Sequence, residues 1–370
     1  MNKVKRIVLS GGGTGGHIYP ALALYRVLKE RSDVEVLYIG TQRGLESKIV
    51  PRAGIPFKAV EITGLKRSIS IDNLKLIFKM FHSTHKAKQM IRDFQPDIVL
   101  GTGGYVCGPV LLAASMLKVP TIIHEQNSVA GITNKFLARF VNKIAVCFEE
   151  ASHQFGKNQN KVVLTGNPRG QEVISTPAMP HCLSEQFELK DNQPTVLIFG
   201  GSRGAPAINQ AGIESLDKWL SANYQVIIAT GQNHFQELNE EMVEEINQSN
   251  NVRIVPYIDN MPSVFQAINL VVCRAGATTL TELTALGLPS ILIPSPYVTD
   301  NHQEHNALSL VNNKAAVMIK ESKLSGQSLY QEVSQLMVAP EDLKVMGQAA
   351  KSMGITDASD RIIQMMNEMV

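Results

Sequence analysis

Two glycine-rich turns, each lying between an apolar strand and a helix-compatible stretch, are the parts of this chain best suited to chemistry. Lys5–Ser10 runs into residues 11–17 with the sequence GGGTGGH, and Thr195–Gly200 runs into residues 201–205 with the sequence GSRGA. The free N–H groups and the positive dipole end of a helix N-terminus converge on one point, which favours a bound anion. The sequence therefore predicts two nucleotide-fold domains facing each other across a cleft.

The first turn matches part of a dinucleotide-binding fingerprint. Gly11, Gly13 and Gly16 have the G-x-G-x-x-G spacing. That fingerprint also requires an acidic residue at the end of the second strand, and here the strand ends at Thr41, which disfavours an NAD site. A tight turn alone needs one glycine. Five of the six residues 11–16 are glycine and His17 follows, which favours close approach of a ligand or reacting group.

Two further strand ends in the first half carry glycine or polar residues. The turn Gly101–Tyr105 follows one strand and is equally consistent with a purely structural turn, whereas His124–Asn127 (HEQN) ends another. Ligands of parallel α/β sheets bind beyond the carboxyl ends of the strands. The four consecutive polar side chains suit a hydroxyl-rich substrate, with loop hydrogen bonds as the alternative, and His124 or Glu125 could titrate there.

The second half carries two candidate nucleotide contacts. Ser202 lies in the second glycine turn, where its hydroxyl can bond a phosphate oxygen or cap the helix. Residues 274–282 (RAGATTLTE) start a helix after the strand Leu270–Cys273. Glu282 would lie about two turns into this helix, where a carboxylate can accept both ribose hydroxyls; a solvent-facing glutamate is the alternative.

The polar run Asp300–Asn306 has a composition that metal sites share. His302 and His305 stand three residues apart without a matching His or Cys set nearby, so the spacing of metal ligands is not met. Amide and imidazole contacts to sugar hydroxyls are the predicted use.

A basic amphipathic segment, Lys66–Arg92, is the remaining functional candidate. It has seven cationic side chains against one acid, Asp72, and its apolar residues 74, 77, 78 and 81 share one helix face. Such a segment can lie on an anionic membrane surface. The alternative, that the apolar residues belong to the core and the lysines are ordinary surface charges, stays open.

Composition bounds the class of protein. A chain of 370 residues, 44% of them hydrophobic, is long enough for two cores. The formal net charge of +2 gives no nucleic-acid signal. The four cysteines are scattered without a CxxC pair, which fits a reducing cytoplasm and disfavours a zinc site or a disulfide framework. The sequence shows neither a signal peptide nor an apolar run long enough to cross a membrane.

The order of elements predicts an α/β protein. Apolar strand candidates bounded by glycine and proline alternate with helical stretches in both halves, which implies parallel sheets with right-handed crossovers. A boundary is expected near Gly166–Pro168, and a last helix, Asp357–Met369, could pack on either domain. The strand candidates are Ile7–Ser10, Val34–Gly40, Asp97–Thr102, Thr121–His124, Ile144–Cys147, Val162–Thr165, Val196–Gly200, Gln225–Thr230, Val252–Val255, Leu270–Cys273, Ser290–Pro294 and Ala316–Ile319.

Taken together, these motifs resemble the MurG family of bacterial glycosyltransferases over nearly the whole chain. The resemblance implies a GT-B fold, with two Rossmann-like domains at residues 1–164 and 165–345 and a helical segment, 346–370, that returns to the first domain. The matching motifs are GGGTGGHIYPALAL (11–24), GTGGYVCGP (101–109), HEQN (124–127), TGNPR (165–169), GGSRGA (200–205) and CRAGATTLTELTALGLP (273–289).

The resemblance also implies an activity and its partners. The expected reaction is inverting transfer of N-acetylglucosamine from UDP-GlcNAc to the 4-hydroxyl of MurNAc in undecaprenyl-pyrophosphoryl-MurNAc-pentapeptide, lipid I, forming lipid II for peptidoglycan. The protein would lie peripherally on the cytoplasmic side of the cell membrane, using Lys66–Arg92, and other cell-wall synthesis proteins remain open as partners. No cofactor is expected to be required; a divalent cation stays open, although no motif indicates one.

Site residues follow from the matched motifs. Ser202 would meet the diphosphate, the Ile258 backbone would read the uracil edge, and Arg169 would lie on the uracil side. Thr14, Gly15, Gly16 and His17 would face the donor sugar and the acceptor diphosphate. The remaining substrate contacts would be Asn127, Ala277, Thr278, Thr279, Leu280, Thr281, Glu282 and Gln303.

The acceptor hydroxyl needs a base, and the sequence offers two. His17 is the first candidate because imidazole titrates near neutral pH, and Glu125 is the second. UDP needs no strong general acid, since helix N-termini, N–H groups and Ser202 can hold its charge. The alternatives are another glycosyltransferase, a UDP-GlcNAc epimerase or a non-enzymatic nucleotide-sugar sensor.

Overall fold

The computed structural model describes residues 3–62, 71–201 and 204–370, with the backbone alone for 71–78. The chain forms two compact units. The first comprises Met1–Gln171 together with Ile355–Val370, and the second comprises Glu172–Gly354. None of the helices in these described ranges has the length and apolar character that a membrane crossing requires.

The first unit is built on a seven-stranded parallel sheet in the order β3-β2-β1-β4-β5-β6-β7. Chain order reverses between β1 and β4, which pair with each other, and such a switch point is where sheets of this kind bind ligands. Its strands are β1 (Arg6–Ser10), β2 (Glu35–Thr41), β3 (Phe57–Val60), β4 (Ile98–Gly101), β5 (Thr121–Glu125), β6 (Lys143–Val146) and β7 (Val162–Leu164).

Helices cover both faces of this sheet, so its strands are apolar throughout. Buried clusters lie on each face, and Ile362 and Met366 of the last helix complete one of them. The helices are α1 (Gly15–Arg31), α2 (Glu46–Arg52), α3 (Ile71–Phe94), α4 (Cys107–Met116), α5 (Ile132–Leu137), α6 (Glu149–Ser152), α7 (Pro168–Ser175), whose last residues belong to the second unit, and α18 (Ala358–Met369).

The second unit repeats the architecture with a six-stranded parallel sheet in the order β10-β9-β8-β11-β12-β13. Its switch point lies between β8 and β11. Its strands are β8 (Thr195–Phe199), β9 (Gln225–Ala229), β10 (Val252–Val255), β11 (Leu270–Cys273), β12 (Ser290–Leu292) and β13 (Val317–Met318).

The core of the second unit contains the buried Trp219, packed against Tyr224 and Tyr330. The helices are α8 (Cys182–Phe187), α9 (Pro206–Ile213), α10 (Leu216–Leu220), α11 (Gln232–Phe235), α12 (Glu240–Asn247), α13 (Met261–Ala267), α14 (Ala277–Leu286), α15 (His302–Val311), α16 (Gly326–Met337) and α17 (Pro340–Met353). Short 3₁₀ turns occur at Gly156–Lys161, Thr299–Asn301 and Glu321–Lys323.

The two predicted parallel sheets and all twelve predicted strands are confirmed. The strand β3 is additional, and the predicted helix over 206–220 is two helices, α9 and α10. The first helix begins at Gly15 rather than at Pro20 because Thr14 is its N-cap, and the Thr14 carbonyl accepts the N–H groups of His17 and Ile18.

The units divide at 171/172 and 354/355, whereas the sequence interpretation places the divisions at 164/165 and 345/346. Hydrogen bonds explain the first position: Gln171 accepts the Ser359 N–H and donates to Asp360, both at the start of α18. Packing of α17 against α14 keeps that helix in the second unit, where Gly347 lies against Gly287.

Candidate active site

The first glycine turn and the turn after β4 meet at the switch point of the first sheet. The Gly12 N–H donates to the Gly103 carbonyl at 3.2 Å. The Thr102 hydroxyl donates to the His17 carbonyl at 2.6 Å. Two turns that are about 90 residues apart in the sequence therefore form one surface, as expected for neighbouring strand ends.

His17 lies in the first turn of α1 with a defined orientation. Its Nδ1 atom is 2.9 Å from the Gly12 carbonyl oxygen and 3.4 Å from the Thr14 hydroxyl. A carbonyl can only accept, so Nδ1 carries the proton and Nε2 carries the lone pair of the neutral ring. The ring lies against Gly103, where a Cβ would come within 2.7 Å of Cδ2. The neutral ring thus offers one proton acceptor, Nε2.

Glu46 lies beneath the first glycine turn and was not predicted from the sequence. It is the first residue of α2 and is fully buried. Its carboxylate accepts the Gly13 N–H at 3.0 Å, the Thr41 N–H at 2.9 Å and the Thr41 hydroxyl at 2.6 Å. Thr41, where a dinucleotide site would have its acid, instead binds this carboxylate.

His124 holds the end of β5 in place. Its Nε2 donates to the Gly166 carbonyl at 2.9 Å, and its Nδ1 accepts from the Gln126 amide at 2.8 Å. Burial lowers the pKa of His124. Gln126 also donates to the Thr102 carbonyl, which joins this strand end to the turn that contacts His17.

Glu125 is buried and bonded to its own loop. One oxygen accepts the Asn127 N–H at 3.0 Å. The other accepts the Gly131 N–H and the Asn134 side-chain amide, both at 2.8 Å. The carboxylate therefore shapes the loop that carries Asn127.

Arg169 lies over Tyr19, an aromatic residue that packs against the first glycine turn. Its guanidinium is 5.8 Å from the centroid of the Tyr19 ring, and that ring packs against Gly15. Burial lowers the pKa of Arg26, and the charge of Arg169 lowers it further. Two guanidinium groups thus make this part of the first unit electropositive.

In the second unit, α14 begins at Ala277, and the three residues 274–276 connect it to the end of β11. The Oγ1 atom of Thr278 is buried and has no hydrogen-bond partner among the described residues. The Thr281 hydroxyl donates to the Ala277 carbonyl at 2.9 Å, and Leu280 is wholly buried. Of these side chains, the Thr278 hydroxyl has the clearest need for a ligand.

Glu282 lies on the second turn of α14 and is 6% exposed. Burial raises the pKa of Cys273, and the charge of Glu282 raises it further. Cys273 ends β11 and Glu282 lies on the helix that follows it, at the predicted nucleotide site.

Ile258 and Ser202 are the two other predicted nucleotide contacts of this unit. Ile258 is buried beside the half-exposed Tyr257. Ser202 lies outside the described residues, as does Arg203. The flanking Gly201 and Gly204 both have positive φ, 95° and 76°, so the second glycine turn uses a backbone that glycine adopts readily.

Gln303 lies in the first turn of α15 after an unusual backbone. Asp300 and Asn301 have φ of 52° and 49°, the left-handed region that L residues seldom adopt in succession. The Gln303 Oε1 accepts the Ser295 N–H at 2.9 Å, and His302 Nδ1 donates to the Thr299 carbonyl at 2.8 Å. The loop is therefore fixed in a shape that orients both side chains.

The predicted residues form two groups, one in each unit. Thr14, Gly15, Gly16 and His17 follow β1, and Glu125–Asn127 stand at the end of β5, whereas Ala277–Glu282 and Gln303 follow β11 and β12. Across the described ranges, no group of three or more His, Cys, Asp or Glu side chains is arranged to hold a metal ion.

Comparisons with known proteins identify the family. Residues 7–146 match the glycosyltransferase family 28 N-terminal domain, and residues 195–362 match the glycosyltransferase family 28 C-terminal domain. The chain is similar to the Acinetobacter baumannii MurG crystal structure, with a TM-score of 0.76 and 27% identity, covering 98% of this chain and 99% of that one. This match, with the two parallel sheets, confirms the GT-B fold.

Curated relatives are similar along nearly their full length. A Halalkalibacterium halodurans protein is 52% identical, covering 98% of this chain and 99% of the relative. A Latilactobacillus sakei subsp. sakei protein is 54% identical, covering 98% and 100%. The chain belongs to glycosyltransferase family 28 and, within it, to the UDP-N-acetylglucosamine--N-acetylmuramyl-(pentapeptide) pyrophosphoryl-undecaprenol N-acetylglucosamine transferases.

Proposed function

We propose that the chain transfers N-acetylglucosamine from UDP-GlcNAc to the MurNAc 4-hydroxyl of undecaprenyl-pyrophosphoryl-MurNAc-pentapeptide, converting lipid I into lipid II in peptidoglycan synthesis. It is an inverting hexosyltransferase that forms a β-1,4 bond. The observation that carries this function is the similarity, along almost the whole chain, to transferases named for this reaction. Polar and glycine-rich turns at the switch points of two parallel sheets support it.

The donor nucleotide binds the second unit. N–H groups at the start of α14 and the buried Thr278 hydroxyl provide hydrogen bonds that a bound nucleotide would complete. The Glu282 carboxylate accepts the ribose hydroxyls and the Ile258 backbone pairs with the uracil edge. The further donor contacts are Ser202 with the diphosphate, Arg169 on the uracil side, and Asn127 and Gln303 with the sugar.

The reaction is a single displacement at the anomeric carbon of the donor. The acceptor O4 attacks from the face opposite UDP, the new C1–O4 bond forms, and the bond to UDP breaks with its electron pair leaving on the phosphate. The O4 proton passes to the base. Growing charge on UDP is held by the N–H groups of the helix N-termini and the glycine turns.

His17 is the base in this mechanism. Its Nε2 is the proton-accepting atom of the neutral ring because Nδ1 donates to Gly12. Both Glu125 oxygens already accept hydrogen bonds from the loop 127–134. Protonating that carboxylate would break a bond that shapes the loop, so Glu125 acts by positioning Asn127.

No divalent cation is required in this proposal, because preorganised N–H dipoles supply the positive potential that the leaving diphosphate needs. Turnover that a chelator abolishes and Mg²⁺ restores would contradict this.

The first unit binds an anionic membrane surface through the segment 66–92. Phe81 on α3 is 72% exposed, and Met116 on the neighbouring α4 is 57% exposed. Lys79, two residues earlier on α3, is also exposed. Of the predicted apolar face, the side chains of Leu74, Ile77 and Phe78 lie outside the described residues, as do Lys66 and Arg67. Exposed apolar and cationic groups on adjacent helices suit the interface of anionic lipids.

Transfer of radiolabelled GlcNAc tests the function directly. With lipid I in detergent, the label is expected in the lipid extract, and the product should be a disaccharide lipid. Conversion of UDP-GlcNAc to its 2-epimer, with no label in the lipid, would favour an epimerase instead.

A further inference from the structure

One peptide group, between Gly12 and Gly13, lies between Glu46 and His17. Its N–H, on Gly13, donates to Glu46 Oε2 at 3.0 Å. Its C=O, on Gly12, accepts from His17 Nδ1 at 2.9 Å. The N–H and C=O of a trans peptide point in opposite directions. The carboxylate and the imidazole are therefore joined in line through a single amide.

The Glu46 side chain is tightly packed between glycines. A Cβ on Gly12 would come 2.4 Å from Glu46 Oε1, and one on Gly44 would come 2.1 Å from Oε2. Glu46 Oε1 accepts hydrogen bonds from both the N–H and the hydroxyl of Thr41. A buried carboxylate costs several kcal/mol unless it is hydrogen-bonded, and three donors meet that need here. Glycine at positions 12 and 44 leaves room for this carboxylate.

The cations Arg169 and Arg26 lie on the Tyr19 side of the turn, whereas the other titratable groups packed near the turn are neutral. Tyr38 donates to the Gly11 carbonyl, and Cys107 to the Gly103 carbonyl. Burial raises the pKa of Tyr38 well above its ordinary value and that of Cys107 to about 12. The uncharged Thr14 hydroxyl approaches His17 from its own helix. Among these neighbours, Glu46 supplies the negative charge.

We propose that Glu46 is a positioning residue for the base, acting on His17 through the Gly12–Gly13 peptide. The carboxylate fixes this peptide and polarises it, so that the Gly12 carbonyl is a stronger acceptor for Nδ1–H. This holds the tautomer with the lone pair on Nε2 and stabilises the imidazolium that forms when Nε2 takes the O4 proton. Glu46 itself takes no proton. The inference rests on the proposed role of His17 as base.

Glu46→Gln tests the charge, and Thr41→Val is the matched control. The amide removes the charge with little change of volume, whereas Thr41→Val removes a hydrogen bond to the same carboxylate but keeps its charge and its bond to Gly13. For Glu46→Gln we expect kcat to fall by about tenfold or more with KM for UDP-GlcNAc little changed. The acidic limb of the kcat/KM pH profile should move to lower pH, since the protonated base loses its stabilising charge. In Thr41→Val this limb should stay in place.

Equal losses of kcat in both variants, with unmoved acidic limbs, would reduce Glu46 to a structural residue and overturn the inference. Should Glu46→Gln not fold, nitrogen NMR of the wild-type protein decides: neutral His17 is expected to be protonated on Nδ1, and a ring protonated on Nε2 would overturn it. Failure of the proposed function looks different. In that case the wild-type protein itself would release no UDP in response to lipid I, whatever the Glu46 variant does. If only the role of His17 is wrong, His17→Ala would keep wild-type turnover.

Discussion

The side-chain oxygen of Gln303 accepts the backbone N–H of Ser295 at 2.9 Å. A backbone N–H can only donate, so the hydrogen bond identifies which end of the amide is oxygen. Nε2, the donor end, is therefore turned away from Ser295. This bond fixes the orientation of the amide, and in the proposed donor site its N–H groups would be available to a sugar hydroxyl.

Gln303→Glu should distinguish the role of the side-chain oxygen from the role of the N–H groups. The glutamate keeps an oxygen for Ser295 but has no N–H to offer the donor sugar. We expect the melting temperature to change little and kcat/KM for UDP-GlcNAc to fall roughly fivefold to 150-fold, which corresponds to about 1–3 kcal/mol for a lost hydrogen bond. A variant with wild-type kcat/KM would remove Gln303 from the sugar site.

His17→Ala should remove the base and leave the nucleotide site intact. Turnover is expected to fall by about 10² or more, because proton transfer contributes this much to such reactions. UDP affinity, measured by calorimetry, should change little, since the proposed nucleotide contacts lie largely in the second unit. Near-wild-type turnover would show that another group takes the proton.

Stability should depend on pH through His124. Burial lowers the pKa of His124 in the folded state, so the unfolded chain binds the proton more readily. The stabilisation is complete above the unfolded value of about 6.5 and is lost as pH falls toward the folded value. Urea titrations should show the unfolding free energy dropping between neutral and mildly acidic pH.

The matched variant is His124→Gln, which lacks the titrating group. It should be less stable than wild type at neutral pH, because the bonds to Gly166 and Gln126 are altered, but its stability should vary less with acid. A drop in acid as steep as that of wild type would assign the titration to other residues.

Membrane binding should depend on the exposed aromatic group of α3. Replacing Phe78 and Phe81 by Ser is expected to weaken binding to anionic vesicles in sedimentation assays, because apolar area is lost from the interface. Val345→Ser, on α17 of the second unit, is the control, since Val345 is also an exposed apolar residue. Unchanged vesicle binding by a folded double variant would show that Phe78 and Phe81 are not part of the membrane-binding surface.

Much of the fold follows from local sequence patterns. Continuous Val, Ile and Leu runs predict the twelve strands because parallel strands covered on both faces are apolar throughout. The strand Phe57–Val60 escapes this rule because it is short, lies at the edge of the sheet and includes Lys58. The break between α9 and α10 falls at Glu214 and Ser215, and Gly212 just before it is buried within α9 and does not by itself predict a helix end.

The site is less completely predictable, because its details depend on tertiary contacts. The glycine turns and the HEQN run identify the right strand ends, but they do not reveal that Glu125 is bonded to its own loop. Glu46 reaches the turn from a separate helix. The one sequence signal for Glu46 is the pair of nearby glycines, Gly40 and Gly44. A side chain at either position would clash with Glu46, but this is visible only once the fold is known.

UDP release from UDP-GlcNAc, measured with and without lipid I, tests the central claim most directly. An acceptor-dependent transferase should release UDP in proportion to the lipid I consumed and almost none in its absence. Sustained UDP release without acceptor, or no release with it, would contradict glycosyl transfer to the lipid-linked muramyl peptide.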